Sequence, residues 1–253
     1  MDDRIILEAQ HLRKQFGGLV AVGDVSLRVR AGALHSIIGP NGAGKTTLFN
    51  LLSGAFHPTS GHVVYNGRDI TGLPPHRVAH LGIGRSFQIT NLFPNLTVLE
   101  NVRLAAQAMG RGNLNLFVSA TRYRDYEVRA QDVLTLVGLA DKANLLATTL
   151  PHGDKRKLEI GILLALDPQV LLLDEPTAGM ASEQVPQLMT LIARVREKGN
   201  KTILLVEHNM QVVMNVSDAI TVMHMGNVLA EGTPKEIAAN EQVQRAYLGE
   251  LYK

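Results

Sequence analysis

One segment constrains the fold of this chain more than any other: Gly39-Pro40-Asn41-Gly42-Ala43-Gly44-Lys45-Thr46-Thr47. An apolar run, residues 34–38, precedes it and Leu48-Phe49-Asn50-Leu51-Leu52 follows, which fits the pattern strand, G-x-x-x-x-G-K-[ST], helix. The glycines let successive backbone N–H groups converge on an anion at a helix N-terminus. Lys45 then reaches the outer phosphates, and the hydroxyl of Thr46 suits Mg²⁺. We therefore predict a nucleoside-triphosphate site at this segment, the phosphate-binding loop.

Composition narrows the functional class. Lys and Arg number 25 against 23 Asp and Glu, a net charge of +2 too weak and dispersed to favour a nucleic-acid partner. The absence of cysteine excludes disulfides and thiol catalysis. The longest apolar stretches, residues 160–166 and 170–173, are far shorter than a bilayer span, so we expect that the chain does not cross a membrane by itself.

Hydrophobic patterning predicts an α/β fold. Short β-branched or alternating segments at 5–12, 25–30 and 63–66 indicate an antiparallel sheet beside the nucleotide strand. Helices predicted over 155–166, 183–197 and 209–216 alternate with strands over 170–174, 202–206 and 219–223, which favours a parallel sheet with ligands at its carboxyl edge. Helical periodicity from about 89 to 159 predicts a helical subdomain inserted into a nucleotide core formed by about 1–88 and 160–253, together one domain.

Four polar residues are expected at strand ends near the phosphate-binding loop. Asp174 and Glu175 follow an apolar strand; Asp174 is placed to hold Mg²⁺ with Thr46, and Glu175 to polarise a water that attacks the γ-phosphate. Gln88 ends another strand and could bridge metal and water. His208 also ends a strand and could donate a hydrogen bond to the γ-phosphate. An acidic pair alone is more often a solvated strand end, and the loop at Gly39 reverses that reading.

Phe16 lies in the predicted turn between the first two strands. An aromatic ring there could stack on a purine base, an interaction worth ~1–3 kcal/mol. The alternative is an ordinary core phenylalanine.

These motifs, in order, resemble the ATP-binding subunits of ABC transporters: Phe16, GPNGAGKTT, Gln88, LPHGD, VLLLDEP and His208. Closer resemblance, to importers of branched-chain amino acids and of amides such as urea, is carried by Phe16-Gly17-Gly18-Leu19-Val20-Ala21-Val22, Glu159-Ile160, Ala178-Gly179-Met180, Val206-Glu207-His208-Asn209-Met210 and Ala246-Tyr247-Leu248-Gly249.

The resemblance implies ATP and Mg²⁺ as cofactors and Phe16 as the adenine contact. It implies two nucleotide subunits, identical or different, closed head to tail, so that each ATP also meets the partner's signature residues, here Leu150, Pro151, His152, Gly153 and Asp154. It further implies membrane permeases as direct partners, reached through Gln88 and the helical subdomain, a solute-binding protein as an indirect partner, and a peripheral location on the cytoplasmic face of the membrane.

The signature departs from the Leu-Ser-Gly-Gly-Gln of that family. Pro151 lacks the hydroxyl that would face the partner's γ-phosphate, and His152 replaces a glycine. The carboxylate of Asp154 should repel triphosphate unless Lys155 or Arg156 compensates. Ala181 stands where the family has Asp or Asn and cannot make the hydrogen bond across the dimer.

Two other functions stay open at this point. One is an ATPase that drives export of lipid or lipopolysaccharide, and the other is a nucleotide-gated module with very low hydrolysis, suggested by Pro151, His152 and Ala181. The solute is not encoded in this chain, since permease and binding protein select it.

Overall fold

The computed structural model describes residues 4–86, 92–109, 120–199 and 201–251. In chain order the strands of this part are β1 (Ile5–Phe16), β2 (Leu19–Arg30), β3 (Leu34–Ile38), β4 (Ser60–Tyr65), β5 (Arg68–Asp69), β6 (Ile83–Arg85), β7 (Val170–Asp174), β8 (Thr202–Val206), β9 (Ala219–His224) and β10 (Asn227–Gly232). The helices are α1 (Lys45–Leu52), α2 (Pro75–Leu81), α3 (Val98–Ala108), α4 (Ala120–Val137), α5 (His152–Ala165), α6 (Val185–Gly199), α7 (Met210–Val216), α8 (Pro234–Ala239) and α9 (Glu241–Leu251).

The described strands form two sheets, as the α/β prediction requires. An antiparallel sheet has the order β2-β1-β4-β5, and a mostly parallel sheet has the order β10-β9-β3-β8-β7-β6. Strands β1 and β2 are longer than predicted and pair as far as Phe16 and Leu19. Phe16 therefore ends a strand instead of lying in the turn, because a hairpin this tight keeps the ladder paired to its last residues.

In the mostly parallel sheet, β3 lies between β8 and β9 and runs parallel to both. Every residue of β3, β7 and β8 is buried. This agrees with the apolar runs of β7 and β8, whereas β3 also buries the polar residues His35 and Ser36. Strand β10 pairs antiparallel with β9 at the edge of the sheet. The carboxyl ends of β3, β7 and β8 therefore lie side by side along one side of the sheet, its carboxyl edge. The predicted site residues follow directly after these strand ends.

Helix α5 begins three residues earlier than predicted. Pro151 has extended backbone angles (φ −57°, ψ 157°) and precedes the first helical residue, His152. Proline is compatible with a helix start because its ring fixes φ and its missing N–H is not needed there. The signature residues His152, Gly153 and Asp154 thus form the first turn of a helix.

The C-terminal β10, α8 and α9 are elements that the sequence patterns did not predict. Thr233 begins α8 with a capping box: its hydroxyl accepts from Glu236 N–H, and the Glu236 carboxylate accepts from Thr233 N–H at 2.7 Å. The sequence Thr233-Pro234-Lys235-Glu236 carries this signal, because a capping threonine, a proline at the first helical position and a glutamate three residues after the cap mark a helix start.

Hydrophobic contacts divide the interior between the two faces of the parallel sheet. One cluster joins α3, α4, α5 and α6 to side chains such as Leu171, Leu173 and Leu205. A second joins the antiparallel sheet and α1 to Leu172, Leu204 and Val206. A third, smaller cluster joins α7, α8 and α9 to β9. Alternate residues of each central strand thus serve opposite faces, and both layers are fixed to the strands that carry the site.

Candidate functional site

Strand register places the predicted site residues along one edge of the sheet. In β8, Val206 pairs with Ile37 of β3 on one side and with Asp174 of β7 on the other. The phosphate-binding loop, Glu175 and His208 follow these strands directly. The structure therefore brings the phosphate-binding loop to two segments that lie more than a hundred residues later in the sequence.

Two glycines of the phosphate-binding loop are required by close approach of the backbone. A Cβ atom on Gly39 would lie 2.2 Å from Met223 O of β9, and one on Gly44 would lie 2.4 Å from Ala21 O of β2. Both glycines also have positive φ, 152° and 98°. The loop is thus wedged between the two sheets, and only glycine fits at these points.

Lys45 is buried and holds its ammonium group inside this loop. Its Nζ donates to Gly39 O at 2.6 Å and to Pro40 O at 2.9 Å. Thr46 and Thr47 follow in the first turn of α1, so the loop ends at a helix N-terminus. N–H groups, a helix dipole and a cation at one place make an anion site.

Asp174 is buried beside Arg85, a residue that the sequence analysis did not identify. Arg85 Nη2 lies 3.4 Å from Asp174 Oδ2. Arg85 Nη1 donates to Asn50 Oδ1 of α1 at 2.6 Å and to Oγ of Ser53, the residue that follows α1, at 2.8 Å. Burial raises the pKa of Asp174 above its ordinary value, the charge of Glu175 adds to this, and Arg85 opposes it. Asp174 Oδ1 is also buried and has no hydrogen-bond partner among the described residues.

Glu175 and His208 are in direct contact. His208 Nε2 lies 2.7 Å from Glu175 Oε1. Glu175 has a φ of 49°, which is uncommon for a residue other than glycine, and its N–H donates to Val206 O at 2.9 Å. The chain therefore turns sharply after β7 and presents this carboxylate to the imidazole.

Glu207 is a second residue that the sequence analysis missed. Its side chain is buried, and Oε1 accepts from Thr177 N–H at 3.0 Å and from Thr177 Oγ1–H at 2.6 Å. Oε2 accepts from His208 N–H at 3.2 Å. An acidic residue placed between the apolar run 203–206 and His208 was the available signal, because a carboxylate at the end of such a strand is buried only where donors surround it.

Phe16 is 42% exposed, so it is not a core residue. Its ring meets that of Phe56 edge to face, with centroids 5.4 Å apart, and Lys14 Nζ lies 4.9 Å from the Phe16 centroid. Phe16 belongs to the same hairpin as Ala21, whose carbonyl contacts the phosphate-binding loop. A partly exposed aromatic face on that hairpin is suited to stacking on a base.

The signature residues have two environments. Leu150, Gly153 and Asp154 are buried, whereas Pro151 and His152 are exposed at the start of α5. A Cβ on Gly153 would lie 2.7 Å from Gln184 Oε1, and one on Gly179 would lie 3.5 Å from His152 Cε1. Arg156 Nη2 donates to Ala178 O at 3.3 Å. The loop after β7 therefore packs against the start of α5.

The cations that pair with Asp154 are not Lys155 or Arg156, the two residues considered from the sequence. Asp154 instead pairs with Lys142 and, at 3.1 Å, with Lys157, while Arg156 pairs with Glu159 at 2.8 Å. On a helix, residue 157 lies over residue 154, whereas 155 and 156 point elsewhere. Partial burial raises the pKa of Asp154, but hydrogen bonds from Lys142 and Lys157 and their charges outweigh it and leave the pKa lowered.

Gln88, predicted to join metal and water, lies outside the described residues. The strand before it, β6, is present beside β7, and Ser86 Oγ accepts from Asp174 N–H at 3.0 Å. Across the described part of the chain, no helix has the length and apolar character needed to span a bilayer.

Similarity to known proteins defines the class of protein to which this site belongs. Residues 22–178 match the ABC transporter family, and residues 227–252 match a region described as branched-chain amino acid ATP-binding cassette transporter. The crystal structure of the ADP conformation of an ATP-binding cassette from an ABC transporter has a TM-score of 0.84 at 30% identity, covering 97% of this chain and 99% of that one.

Relatives of similar length show which ABC transporter subunits this chain is similar to. The high-affinity branched-chain amino acid transport ATP-binding protein LivG of Salmonella typhimurium is 43% identical over 97% of this chain and 98% of its own length. The corresponding BraF of Pseudomonas aeruginosa is 43% identical over 98% and 99%. The chain belongs to the ABC transporter ATP-binding family, and it is an ATPase of that type.

Proposed function

We propose that this ATPase drives an importer of branched-chain amino acids or related amino acids and amides. The observation that carries the proposal is the full-length similarity to LivG and BraF, which extends through the C-terminal region at 227–252. That region forms β10, α8 and α9, which contain none of the residues proposed to bind the nucleotide. Similarity restricted to the nucleotide site would support ATP hydrolysis without favouring any class of solute.

The nucleotide would occupy the edge formed by β3, β7 and β8. The backbone from Asn41 to Thr47 is proposed to bind the phosphates, with Lys45 moving its ammonium from loop carbonyls to phosphate oxygens. Phe16 would stack on the adenine. These roles are supported by the glycine geometry of the loop, the burial of Lys45 and the exposed ring of Phe16.

The oxygen donors at this edge fit Mg²⁺. Thr46 supplies a hydroxyl and Asp174 a carboxylate, the ligand types that this cation prefers, and Gln88 is proposed to complete the set. The buried Oδ1 of Asp174, without a hydrogen-bond partner among the described residues, supports this assignment. When bound, Mg²⁺ would neutralise charge on the β- and γ-phosphate oxygens.

Glu175 and His208 are proposed to act on the γ-phosphate and its attacking water. Glu175 would orient the water and accept its proton, and His208 would donate from Nε2 to a γ-phosphate oxygen. Their 2.7 Å contact supports joint action. A small rotation of the imidazole ring would turn the Nε2–H group of His208 from the carboxylate of Glu175 to a phosphate oxygen. Each role requires the groups to be held in one geometry.

Two chains are proposed to close over two ATP molecules. A solved bacterial ABC transporter cassette is dimeric, and this chain aligns to it with a TM-score of 0.78 at 28% identity. In such a dimer, Leu150, Pro151, His152, Gly153 and Asp154 would meet the partner's nucleotide. Exposure of Pro151 and His152 at a helix N-terminus supports this, because an anion is stabilised there.

Subunits of this family act with membrane permeases. We propose that permeases bind this chain at the cytoplasmic face of the membrane through the helical region that follows Gln88, and that a solute-binding protein delivers the solute to them. The exposed Phe93, Leu145 and Leu146 of that region support the contact.

Measured ATP turnover tests the proposal. We expect Glu175→Gln to bind ATP and lose steady-state hydrolysis, because an amide keeps the shape but is not a base. Lys45→Ala should instead weaken ATP binding itself, because the phosphates lose a point charge. Retained turnover in Glu175→Gln, or unchanged ATP affinity in Lys45→Ala, would contradict the assignment.

Copurification with permeases distinguishes the class of solute that is transported. The proposal is supported if the chain copurifies with permeases and if leucine, isoleucine or valine stimulates ATP turnover of that complex. Stimulation by lipid or lipopolysaccharide would favour the export alternative. Turnover that stays negligible with the permeases present would favour the nucleotide-gated alternative.

A further inference from the structure

We propose that Glu207 is a positioning residue that fixes Glu175 and His208 relative to each other. The inference rests on the proposed function, since it concerns the same site. Glu207 is 3% exposed. A buried carboxylate is costly unless hydrogen-bond donors satisfy it, so its contacts describe what it holds in place.

Those contacts lie on both catalytic segments. One oxygen accepts the N–H and the hydroxyl of Thr177, two residues after Glu175, and the other accepts the N–H of His208. Charge-assisted hydrogen bonds of this kind are stronger than neutral ones. Glu207 therefore joins the loop after β7 to the segment after β8 beyond the point where the strands end.

The 2.7 Å contact between Glu175 and His208 closes a ring. From Glu175 the chain leads to Thr177, Thr177 bonds to Glu207, Glu207 precedes His208, and His208 returns to Glu175. Since Glu175 has an uncommon backbone conformation, with φ of 49°, its turn needs support from the residues that follow it. Glu207 supplies this support through its two hydrogen bonds from Thr177.

Glutamine cannot replace these contacts. The backbone N–H groups of Thr177 and His208 can only donate, and each meets a different oxygen of Glu207. In either orientation a glutamine amide would direct its NH₂ group at one of these N–H donors. We expect Glu207→Gln to keep ATP affinity and KM within about threefold while kcat falls about tenfold to a hundredfold, the scale of losses from misplacing reacting groups by about 1 Å.

Asp218→Asn is the matched control. Asp218 Oδ2 accepts from Leu34 N–H at 2.8 Å and lies 2.8 Å from Arg196 Nη2, at the opposite end of the same sheet. It is likewise a carboxylate that binds a backbone donor, but it touches no catalytic segment. Its replacement should lower thermal stability and leave kcat within about twofold of wild type.

A double-mutant cycle with His208→Ala separates positioning from loss of stability. If Glu207 acts through His208, the effects on kcat are non-additive, and His208→Ala costs less in the Glu207→Gln background than in wild type. Thr177→Ser should retain wild-type kcat and Thr177→Val should reduce it, which keeps the test available if Glu207→Gln fails to fold. Additive effects would overturn the proposal.

The assay uses the full chain with Mg²⁺ and ATP, with Glu175→Gln run in parallel. Wild-type turnover that Glu175→Gln abolishes and that Glu207→Gln reduces supports the inference. If Glu207→Gln matches Asp218→Asn instead, the inference fails and the proposed function stands. If wild type turns over no faster than Glu175→Gln, the proposed function fails, and Glu207 then has no catalytic pair to position.

Discussion

Arg85 and Asp174 form an ion pair in the interior of the protein, with side chains 13% and 0% exposed and Nη2 3.4 Å from Oδ2. The same guanidinium bonds to Asn50 and Ser53 at the end of α1. One side chain thus ties the strand before Gln88 to both the helix of the phosphate-binding loop and the carboxylate proposed to hold Mg²⁺.

Removing Arg85 should therefore destabilise the fold. Arg85→Met leaves a buried carboxylate without its cation, and breaking such a pair costs about 3–5 kcal/mol of unfolding free energy. Urea denaturation measures this loss of unfolding free energy. Arg245→Met is the control, because the Arg245–Glu241 pair is exposed and should contribute less than about 1 kcal/mol. Equal effects of the two substitutions would contradict the assignment of Arg85.

Phe16→Ala should weaken binding of ATP and GTP alike, by ~1–3 kcal/mol, because a ring face discriminates poorly between purines. Phe56→Ala is the matched variant: it removes the edge-to-face neighbour, worth ~0.5–1.5 kcal/mol, and leaves the stacking ring in place. Titration with ATP and with GTP measures the nucleotide affinity of both variants. Intact nucleotide affinity in Phe16→Ala together with lowered thermal stability would restore the core interpretation of this residue.

Pro151→Ser should strengthen ATP-driven dimerisation in the Glu175→Gln background by roughly 1.5–3 kcal/mol, one hydrogen bond to a charged group. The backbone permits the change, because Pro151 has the extended angles that a capping serine also adopts. Sedimentation at matched ATP measures self-association.

Pro151→Ala controls for loss of the ring without gain of a hydroxyl and should leave dimerisation unchanged. Equal or weaker self-association of the serine variant would reject the view that Pro151 is a lost contact.

His35 should make the fold sensitive to acid. Burial lowers its pKa from 6.5 to about 4 in the folded protein, with Asp218 opposing the shift. The unfolded chain therefore binds more protons between these values, so stability falls as pH is lowered from about 6.5 towards about 4, by about 3 kcal/mol in total.

The difference between wild type and His35→Gln isolates this contribution in urea titrations at several pH values. The glutamine variant should lose less stability on acidification. His62→Gln, which changes an exposed histidine, should follow wild type. Parallel pH profiles for wild type and His35→Gln would contradict the assignment.

The parts of the fold predicted from sequence are those in which local pattern and burial agree. The limits predicted for β7 and β8 match the structure because each contains a continuous run of four apolar residues next to polar ones. The start of α5 was misplaced because Pro151 resembles a helix breaker, while its role as the residue before the first turn depends on context.

Arg85 and Glu207 were not predicted because single charged residues have no periodicity. Their importance comes from neighbours distant in sequence: Asp174 is 89 residues from Arg85, and Thr177 is 30 residues from Glu207. Asp154 shows the same limit, since its partner Lys142 comes from the segment before the helix. Motifs locate the groups proposed to meet the nucleotide, but the residues that hold those groups emerge only from the packing of the strands.

The hydrogen bond from Arg156 to Ala178 has a consequence for how two such chains work together. The loop that leaves Glu175 rests on the helix whose first turn would serve the neighbouring chain's nucleotide. Each polypeptide would therefore be the mechanical link between two reactions. In a mixed pair with one chain altered at Arg156, the fault would appear at both nucleotides, and the turnover of the pair would fall below the mean of its two parents.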